Sequence, residues 1–529
     1  MDKVAENLGK SKYSLAYSLN HCYPCENYSF TEGYRMAQAQ KNKGVRTKHS
    51  EYTEMLSQWK KCRDVFAGTE ELREYTTEYL PELTDEPPSA YQARLNRTVL
   101  YNATYRTIQG MIGMVFRRPP VAECPLNTES MLEDITLTGI PLTAFAQDIA
   151  EECMVVGRVG LYVNYPITSD SMTIADAQAL NVRPYMSIVR AEQIINWRQR
   201  RVNNKYALSM AVIQEEHSIP IDEFEDKEVT RYRVLDLDEN DVYRVRIFEV
   251  QEKNRQSTDV EIERFYPTMN GARMNYIPLY IMGSDNVTPD IDTPMMIDIV
   301  DTNIAHYQAF ADLSSGCHWS GTPTMTITGH ELAPNETLHV GAGKALVLPN
   351  PAAKATMVEV GTAGFSALDS LLNRLEMHMV SLGSRLLEGH KVQAESAQTA
   401  MIYRAGEQSI LASVAQSIST GITIALKTFA EWAGDDSSNV RFDLNREFFA
   451  QPVTPEMLNA LVSAWQLGGI SAESRFAYLK RSEFYQPHEE FEDEEKLIEA
   501  GKPKEPVKPP VLTTIKRNSD GSMTAERAA

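Results

Sequence analysis

The feature that most constrains the fold is a stretch without proline between Pro351 and Pro452. Because proline removes a hydrogen bond and clashes with the preceding turn, its absence permits long uninterrupted helices. Two helices are predicted in this stretch. The first is predicted from apolar residues at steps of three and four, which share one helix face: Phe365, Leu368, Leu372, Leu375, Met379, Leu382 and Leu386. The second is predicted from Thr399 to Gly434, with the glycine as C-cap.

A further helix is predicted upstream, beginning at Thr293 and Pro294, a cap residue followed by proline at the first helical position. At 1.5 Å per residue, helices over 365–388 and 400–433 would be about 36 Å and about 51 Å long. Helices of this kind pack on other helices, within one chain or between subunits. The pattern therefore fits either the core of a large enzyme or an assembly of repeated copies. The helix that begins at Thr293 has apolar residues at steps of three and four, which form its apolar seam: Ile297, Val300, Ile304, Tyr307 and Ala311.

Composition narrows the class of protein. A chain of 529 residues with 43% hydrophobic content is expected to form several domains. Because the chain begins with polar residues, no secretory signal is predicted. The sequence contains no run of eighteen apolar residues, so no membrane helix is predicted either. The formal net charge of −20 argues against gripping nucleic acid over the whole surface. It suits either simple solubility or a surface along which DNA slides without being trapped.

Motifs for catalysis, cofactors and metals are not found in the sequence. It contains no GxSxG, HExxH, Walker A or GxGxxG motif. Cys22 and Cys25 form a lone CxxC without a second ligand pair, so free thiols are favoured. Cys317 and His318 could form a nucleophilic pair, but buried packing is favoured. We predict no enzyme, no cofactor and no metal site.

Three aspartates on the upstream helix are the alternative to this prediction. Asp298, Asp301 and Asp312 lie off its apolar seam. They could bind a metal as in a nuclease, although charges facing solvent or a lumen are the more common case. A nuclease would require these carboxylates, or the Cys317–His318 pair, to converge in the fold.

The remaining chain divides into an α/β part, a β insertion and a helical end. Residues 1–49 are predicted to form a loosely held arm and 501–529 a disordered tail. Asp238 to Asp241 is predicted to be a hairpin turn. The other predicted helices are Ser50–Val65, one or two over 89–120, Leu142–Val156, Thr454–Leu467 and Ser471–Arg481. The predicted strands lie at 157–165, Met186–Val189, Tyr206–Gln214, Thr230–Leu237, Val242–Gln251, Ile277–Ile281, Thr324–Thr328, Thr337–Val340, Ala345–Leu348, Thr356–Glu359 and Val440–Leu444.

The chain resembles the portal, or head–tail connector, proteins of tailed bacteriophages, within a group of uncharacterised phage-domain proteins. The resemblance covers about residues 50–500, including the element order from 293 to 433 and the segment Thr454–Ala472. The stretch that carries it consists of Tyr79-Leu-Pro81 through Arg94-Leu-Asn-Arg97, Tyr101-Asn-Ala-Thr104, Arg106-Thr107 and Gly113-Met-Val-Phe-Arg117.

The resemblance implies an α+β subunit with a portal-like arrangement of parts. Its two long stem helices would carry a small β clip between them and a tunnel loop after them, followed by a long kinked helix. The implied parts are an arm (1–49), an α/β wing (50–292), stem helix one (293–316), the clip (317–360), stem helix two (361–388), the tunnel loop (389–398), the long helix (399–434), C-terminal wing or crown helices (435–500) and the tail (501–529).

The resemblance also implies a function. Copies of the chain, usually twelve, would form the ring at one capsid vertex through which double-stranded DNA is packaged and later ejected. The implied clip contacts with terminase or adaptor are His318, Thr324, His330, Glu331, Asn335, Glu336 and Lys344. The implied tunnel-loop residues are His390, Lys391, Gln393, Glu395, Ser396 and Gln398.

The implied partners are other copies of the chain, major capsid and scaffolding protein, large terminase, and a head–tail adaptor or tail protein. No membrane is implied. The implied location is the virion, after assembly in the host bacterial cytoplasm. The alternative is a minor capsid or head–tail adaptor protein without a channel.

Overall fold

The structure, a computed structural model, describes residues 44–166, 180–202, 204–253, 256–321, 324–329, 352–358, 363–383, 397–446, 448, 455–481, 484–485, 491–501, 513–517, 521 and 523–527. Helices and strands are mixed along the chain, which confirms the α+β class. The helices are α1 (Ser50–Ala67), α2 (Thr69–Glu74), α3 (Pro88–Arg97), α4 (Ala103–Val115), α5 (Leu126–Met131), α6 (Leu142–Val156), α7 (Ile297–Gly321), α8 (Ala363–Ser381), α9 (Ala397–Trp432), α10 (Pro455–Gln466), α11 (Ala472–Arg481) and α12 (Phe491–Gly501).

The strands form small antiparallel sheets and one larger sheet. They are β1 (Val121–Glu123), β2 (Arg158–Asn164), β3 (Tyr185–Arg190), β4 (Ile194–Val202), β5 (Lys205–Pro220), β6 (Asp226–Leu237), β7 (Tyr243–Lys253), β8 (Gln256–Phe265), β9 (Thr268–Met269), β10 (Ala272–Arg273), β11 (Leu279–Gly283), β12 (Thr324–Thr328), β13 (Lys354–Val358), β14 (Arg441–Asp443), β15 (Thr513–Arg517) and β16 (Met523–Arg527). The larger sheet has the order β4-β5-β6-β7-β8, and a second has the order β11-β2-β3.

The C-terminal two thirds of helix α9 forms the centre of the core. This helix contacts α6, the strands β2 and β11, and the short strand β14. Hydroxyl groups fix it to its neighbours: Ser417 Oγ donates to the carbonyl oxygen of Gly283 (2.9 Å), and Thr423 Oγ1 to that of Phe442 (3.1 Å). Its fully buried apolar residues include Val414, Ala415, Ile418, Ile422, Ala425, Leu426, Phe429 and Ala430.

By length and composition, one helix in the described part of the chain is apolar enough to cross a membrane. It is the segment Ile410–Trp432 of α9, and 56% of its most apolar window is buried inside the fold. Packing in the core therefore accounts for its hydropathy. Helix α9 ends at Trp432, and Gly434 follows in the left-handed region (φ 84°), as the predicted glycine cap requires.

Several predicted elements agree with the structure. Helix α8 carries the predicted seam at Leu372 and Met379, which are buried, but it ends at Ser381 and Leu382 is exposed, so the predicted extension of the seam to Leu382 is wrong. The turn at Asp238 is present, since its Oδ1 accepts from the backbone N–H groups of Asn240 and Val242. Strands β4 and β8 were not predicted. Both lie at the edges of the larger sheet, where β8 and the second half of β4 (198–201) carry charged residues in place of the apolar alternation that marks inner strands.

Other predictions are corrected by the structure. The last residues of the predicted arm are held in place, because Asn196 Nδ2 donates to the carbonyl oxygen of Thr47 (2.9 Å) and Arg46 pairs with Asp259 (2.8 Å). In the predicted disordered tail, β15 and β16 pair as an antiparallel ribbon, so the prediction of disorder is wrong for those residues. Helix α7 continues to Gly321, so the predicted end of this helix at residue 316 lies too early.

Candidate assembly surface

Helices α7 and α8 form an antiparallel hairpin, with the ribbon β12–β13 between them in the chain. Three contacts along the pair run in opposite sequence directions. Gly316 faces Phe365, His306 Nε2 lies 3.3 Å from Glu376 Oε1, and Ile299 lies beside Gly383. A Cβ atom at Gly316 would lie 2.4 Å from Cε1 of Phe365, so glycine is needed for the ring to rest on the helix. We call α7, β12, β13 and α8 the helical hairpin.

The N-terminal half of α7 anchors the helical hairpin in the core. Asn303 is fully buried, and its Oδ1 accepts from Thr104 N–H (3.3 Å) and Thr104 Oγ1 (3.1 Å). Its Nδ2 donates to the carbonyl oxygen of Tyr101 (2.7 Å). Gln308 Nε2 donates to the carbonyl oxygen of Tyr79 (2.9 Å). The residues that carry the sequence resemblance thus hold α7 by hydrogen bonds.

Arg94, within the same stretch, joins three segments. Its guanidinium makes two hydrogen bonds to the Glu86 carboxylate (3.0 and 2.8 Å) and one to the carbonyl oxygen of Pro81 (2.7 Å). The hydrogen bonds from Arg94 lower the pKa of Glu86. Arg94 Nη1 also lies 4.0 Å from Asp312 Oδ1 on α7. Partial burial raises the pKa of Asp312, against the attraction of Arg94.

Large apolar side chains of the hairpin face solvent in the single chain. They lie outside the seam between α7 and α8, at both ends of the pair. Because α7 projects beyond the core after its anchored half, its last turn is exposed as well. We define the hairpin surface as these residues, with their exposed fractions: Trp319 (58%), Leu371 (42%), Met377 (64%) and Leu382 (44%).

The candidate catalytic and metal residues do not converge. Asp301 pairs with Lys61, whereas Asp312 faces Arg94. Among the described residues, no group of three His, Cys, Asp or Glu side chains is arranged to hold a metal. Cys317 and His318 are exposed in the last turn of α7, so the prediction that they pack in the core is wrong.

Two predicted clip residues and one predicted tunnel-loop residue lie in the described chain. His318 belongs to α7, and Thr324 is the first residue of β12, paired with Val358 of β13. Gln398 lies in the first turn of α9, which corrects its assignment to a loop. The others lie outside the described residues: His330, Glu331, Asn335, Glu336, Lys344, His390, Lys391, Gln393, Glu395 and Ser396.

The sequence analysis missed the polar anchor at the base of the hairpin. A signal for it exists: Asn303 stands between Val300 and Tyr307 on the inward face of α7, where an apolar residue is expected. A polar residue inside a seam requires hydrogen-bond partners when it is buried. Those partners lie about two hundred positions earlier, and their identity became clear only from the fold.

Comparisons with known proteins give a match to part of the chain. A family model described as a domain of unknown function (DUF4055) matches residues 295–433, which include α7 to α9. No curated protein matches the chain.

Among solved structures, a chain from "Neck of empty GTA particle computed with C6 symmetry" is similar at 12% identity and a TM-score of 0.35, over 72% of this chain and 89% of that one. A chain from "Neck of native GTA particle computed with C12 symmetry" is similar at 11% identity and a TM-score of 0.35, over 71% and 89%.

Proposed function

We propose that the chain is a phage portal protein, which forms the ring at one capsid vertex through which double-stranded DNA enters and leaves. The observation that carries the proposal is the helical hairpin, firmly anchored at its base and apolar on its exposed sides. The hairpin surface includes Trp319 and Met377, each more than half exposed. Exposed apolar residues grouped on one element are typical of an interaction surface.

A ring of identical subunits would cover this surface. In a closed ring, one side of each hairpin contacts the opposite side of the next, so apolar residues on both sides become buried. Burial of apolar area is worth about 25 cal/mol per Å². By helical spacing, Leu371 and Met377 point about 120° apart around α8, so in a ring they would contact two different neighbours.

The charge of the chain is compatible with a DNA passage. The net charge of −20 would repel the phosphates and keep DNA from binding tightly along the way. Buried or paired charges contribute little to this effect, whereas exposed acidic residues such as Asp298 contribute more.

The proposed partners follow from the assignment. The region between α7 and α8 would dock the terminase motor during packaging and a head–tail adaptor afterwards, and the wing would meet capsid and scaffolding protein. The chain would have no catalytic role, and the docked motor would hydrolyse ATP. The assembled ring would belong to the virion.

The test is a double substitution on the hairpin surface. Leu371→Glu with Met377→Glu places two negative charges where neighbouring subunits would meet, and we expect rings to give way to single chains in size-exclusion chromatography with light scattering. The matched control is Leu126→Glu on α5, where the leucine is 84% exposed and lies outside the hairpin. Rings that form equally well in both variants would contradict the proposed interface.

A further inference from the structure

Strands β5 and β6 extend beyond their neighbours in the larger sheet. β4 pairs with β5 only as far as Ile213, and β7 pairs with β6 only from Arg231 onwards. Beyond these points β5 and β6 continue to pair with each other, as far as Pro220 and Asp226. We call residues 214–230 the β finger, which is about 20 Å long at about 3.3 Å per residue.

The tip of the β finger presents a phenylalanine to solvent. Phe224 is 91% exposed, and Ile221 in the same turn is 60% exposed. The turn is fixed by its own hydrogen bonds, since Asp222 Oδ1 accepts from the backbone N–H groups of Phe224 (2.8 Å) and Glu225 (2.9 Å). A preformed turn loses little conformational freedom on binding, and aromatic side chains are frequent at the centres of interfaces. The tip therefore has the properties of an anchor for another protein surface.

The β finger is strongly acidic. Seven acidic residues and one lysine give it a formal charge of −6. Every residue from Pro220 to Glu228 is exposed. Because opposite charges favour association and like charges oppose it, the surface that receives the tip should combine an apolar group with positive charge.

The opposite end of the same sheet carries such a surface. Arg198, Arg200 and Arg201 lie on the edge strand β4, and Arg201 pairs across the strands with Tyr206, which is 76% exposed. Arg198 and Arg201 are exposed as well. Within the described part of the chain, only Arg200 of the three pairs with a carboxylate, that of Asp241. We call Arg198, Arg200, Arg201 and Tyr206 the arginine edge.

The β finger cannot reach the arginine edge of its own chain. Strand β5 begins at Lys205, next to this edge, and ends at Pro220, in the β finger. An extended strand of this length separates its two ends by roughly 50 Å. A contact between the β finger and the arginine edge must therefore join two copies of the chain. Such a contact is heterologous, because a different surface of each copy takes part in it.

We propose that the β finger of one copy docks on the arginine edge of the next. Phe224 packs on Tyr206, and the carboxylates of Glu223 and Glu225 pair with the exposed arginines. Repeated from copy to copy, this contact builds a closed ring or an open filament. The docking needs copies that associate, as the proposed ring does, but no passage of DNA.

Zero-length cross-linking with a carbodiimide, which joins carboxylates to amines in direct contact, tests the docking. The variant Arg201→Lys keeps the positive charge and supplies an amine at the arginine edge. After cross-linking, a denaturing gel separates joined pairs of chains from single chains. We expect the band of joined pairs to contain peptides in which Glu223 or Glu225 is linked to the substituted position 201, as mass spectrometry identifies them.

Two further variants, each made together with Arg201→Lys, make the result specific. Phe224→Ser removes the anchor, so the yield of this cross-link should fall several-fold. Phe484→Ser makes the same change at another phenylalanine, which is 59% exposed, and should leave the yield unchanged.

Three results would overturn the docking. The first is a band of joined pairs without the peptide that links the β finger to the arginine edge, or no such band at all. The second is this peptide in single chains only, and the third is an equal yield with and without Phe224→Ser. Rings seen by electron microscopy that lack the cross-link would overturn the docking and leave the proposed ring intact, so the two proposals fail separately.

Discussion

At the scale of single residues, the resemblance to portal proteins is carried by side chains that stabilise the fold. Arg94 is the clearest case, because its side chain is 3% exposed and it pairs with Glu86, which is 8% exposed. Removing one partner of a buried ion pair leaves an uncompensated charge. The residues that carry the resemblance therefore help to anchor the helical hairpin in the core.

We predict that Glu86→Gln lowers the free energy of unfolding at pH 7 by about 2 kcal/mol, because a charge-assisted pair becomes a neutral hydrogen bond. Since the pKa of Glu86 is lowered from 4.5 in the folded state, this contribution is fully present above pH 4.5. It is lost as the pH falls through the folded-state pKa.

Urea unfolding of both proteins at pH 7 and at steps below pH 4.5 checks this prediction. The stability difference between wild type and Glu86→Gln should shrink as the solution becomes more acidic. A difference that stays constant down to pH 2 would show that the ionisation of Glu86 is not its origin.

We predict that Asn303→Ala lowers the free energy of unfolding by about 2–3 kcal/mol, because it leaves the buried N–H group and hydroxyl of Thr104 without their acceptor. Chemical denaturation measures the change. The control is Asn373→Ala on α8, where the exposed asparagine bonds only within its own helix. A change of about 0.5 kcal/mol or less in both variants would contradict the anchoring role.

At the scale of elements, a glycine inside a long helix is explained either by a kink or by close packing of a neighbour against it. Helix α9 is continuous through Gly406 and Gly421. A Cβ atom at Gly421 would lie 2.4 Å from Cε and 2.8 Å from Sδ of Met282. Met282 is fully buried. Close packing against β11 therefore explains Gly421.

We predict that Gly421→Val lowers the free energy of unfolding by about 1–3 kcal/mol, because the larger side chain overpacks the contact with Met282. Thermal unfolding followed by circular dichroism measures the change. Thr420→Ala, at the exposed neighbouring position, should change the melting temperature little. If Gly421→Val were as stable as wild type, close packing would not be the reason for the glycine.

Much of the element order could be predicted from the sequence, for physical reasons. The seam of α8 and the inner strands β5 to β7 show apolar periodicity, because each of these elements buries one face. This periodicity is weaker in β8 and in the second half of β4, because their charged residues face solvent. The buried Asn303 depends on partners distant in the chain, which periodicity does not reveal. Predicting Cys317 as buried failed because the helix continues past the core.

At the scale of the whole molecule, the proposed ring of identical subunits explains both the anchored base and the apolar flanks of the helical hairpin. In the proposed ring, the base would fix the direction of α7 and α8 relative to the core, and the flanks would contact two neighbours. A surface of this kind on a single chain favours self-association, and a closed ring covers it on every copy.

The measurement that tests this account most directly is electron microscopy of the purified chain, with the particle mass determined in parallel. The account predicts closed rings with a central hole and a mass that is a whole-number multiple of 59.5 kDa. Compact particles of a single chain at all concentrations, which stay single when scaffolding or capsid protein is added, would contradict it.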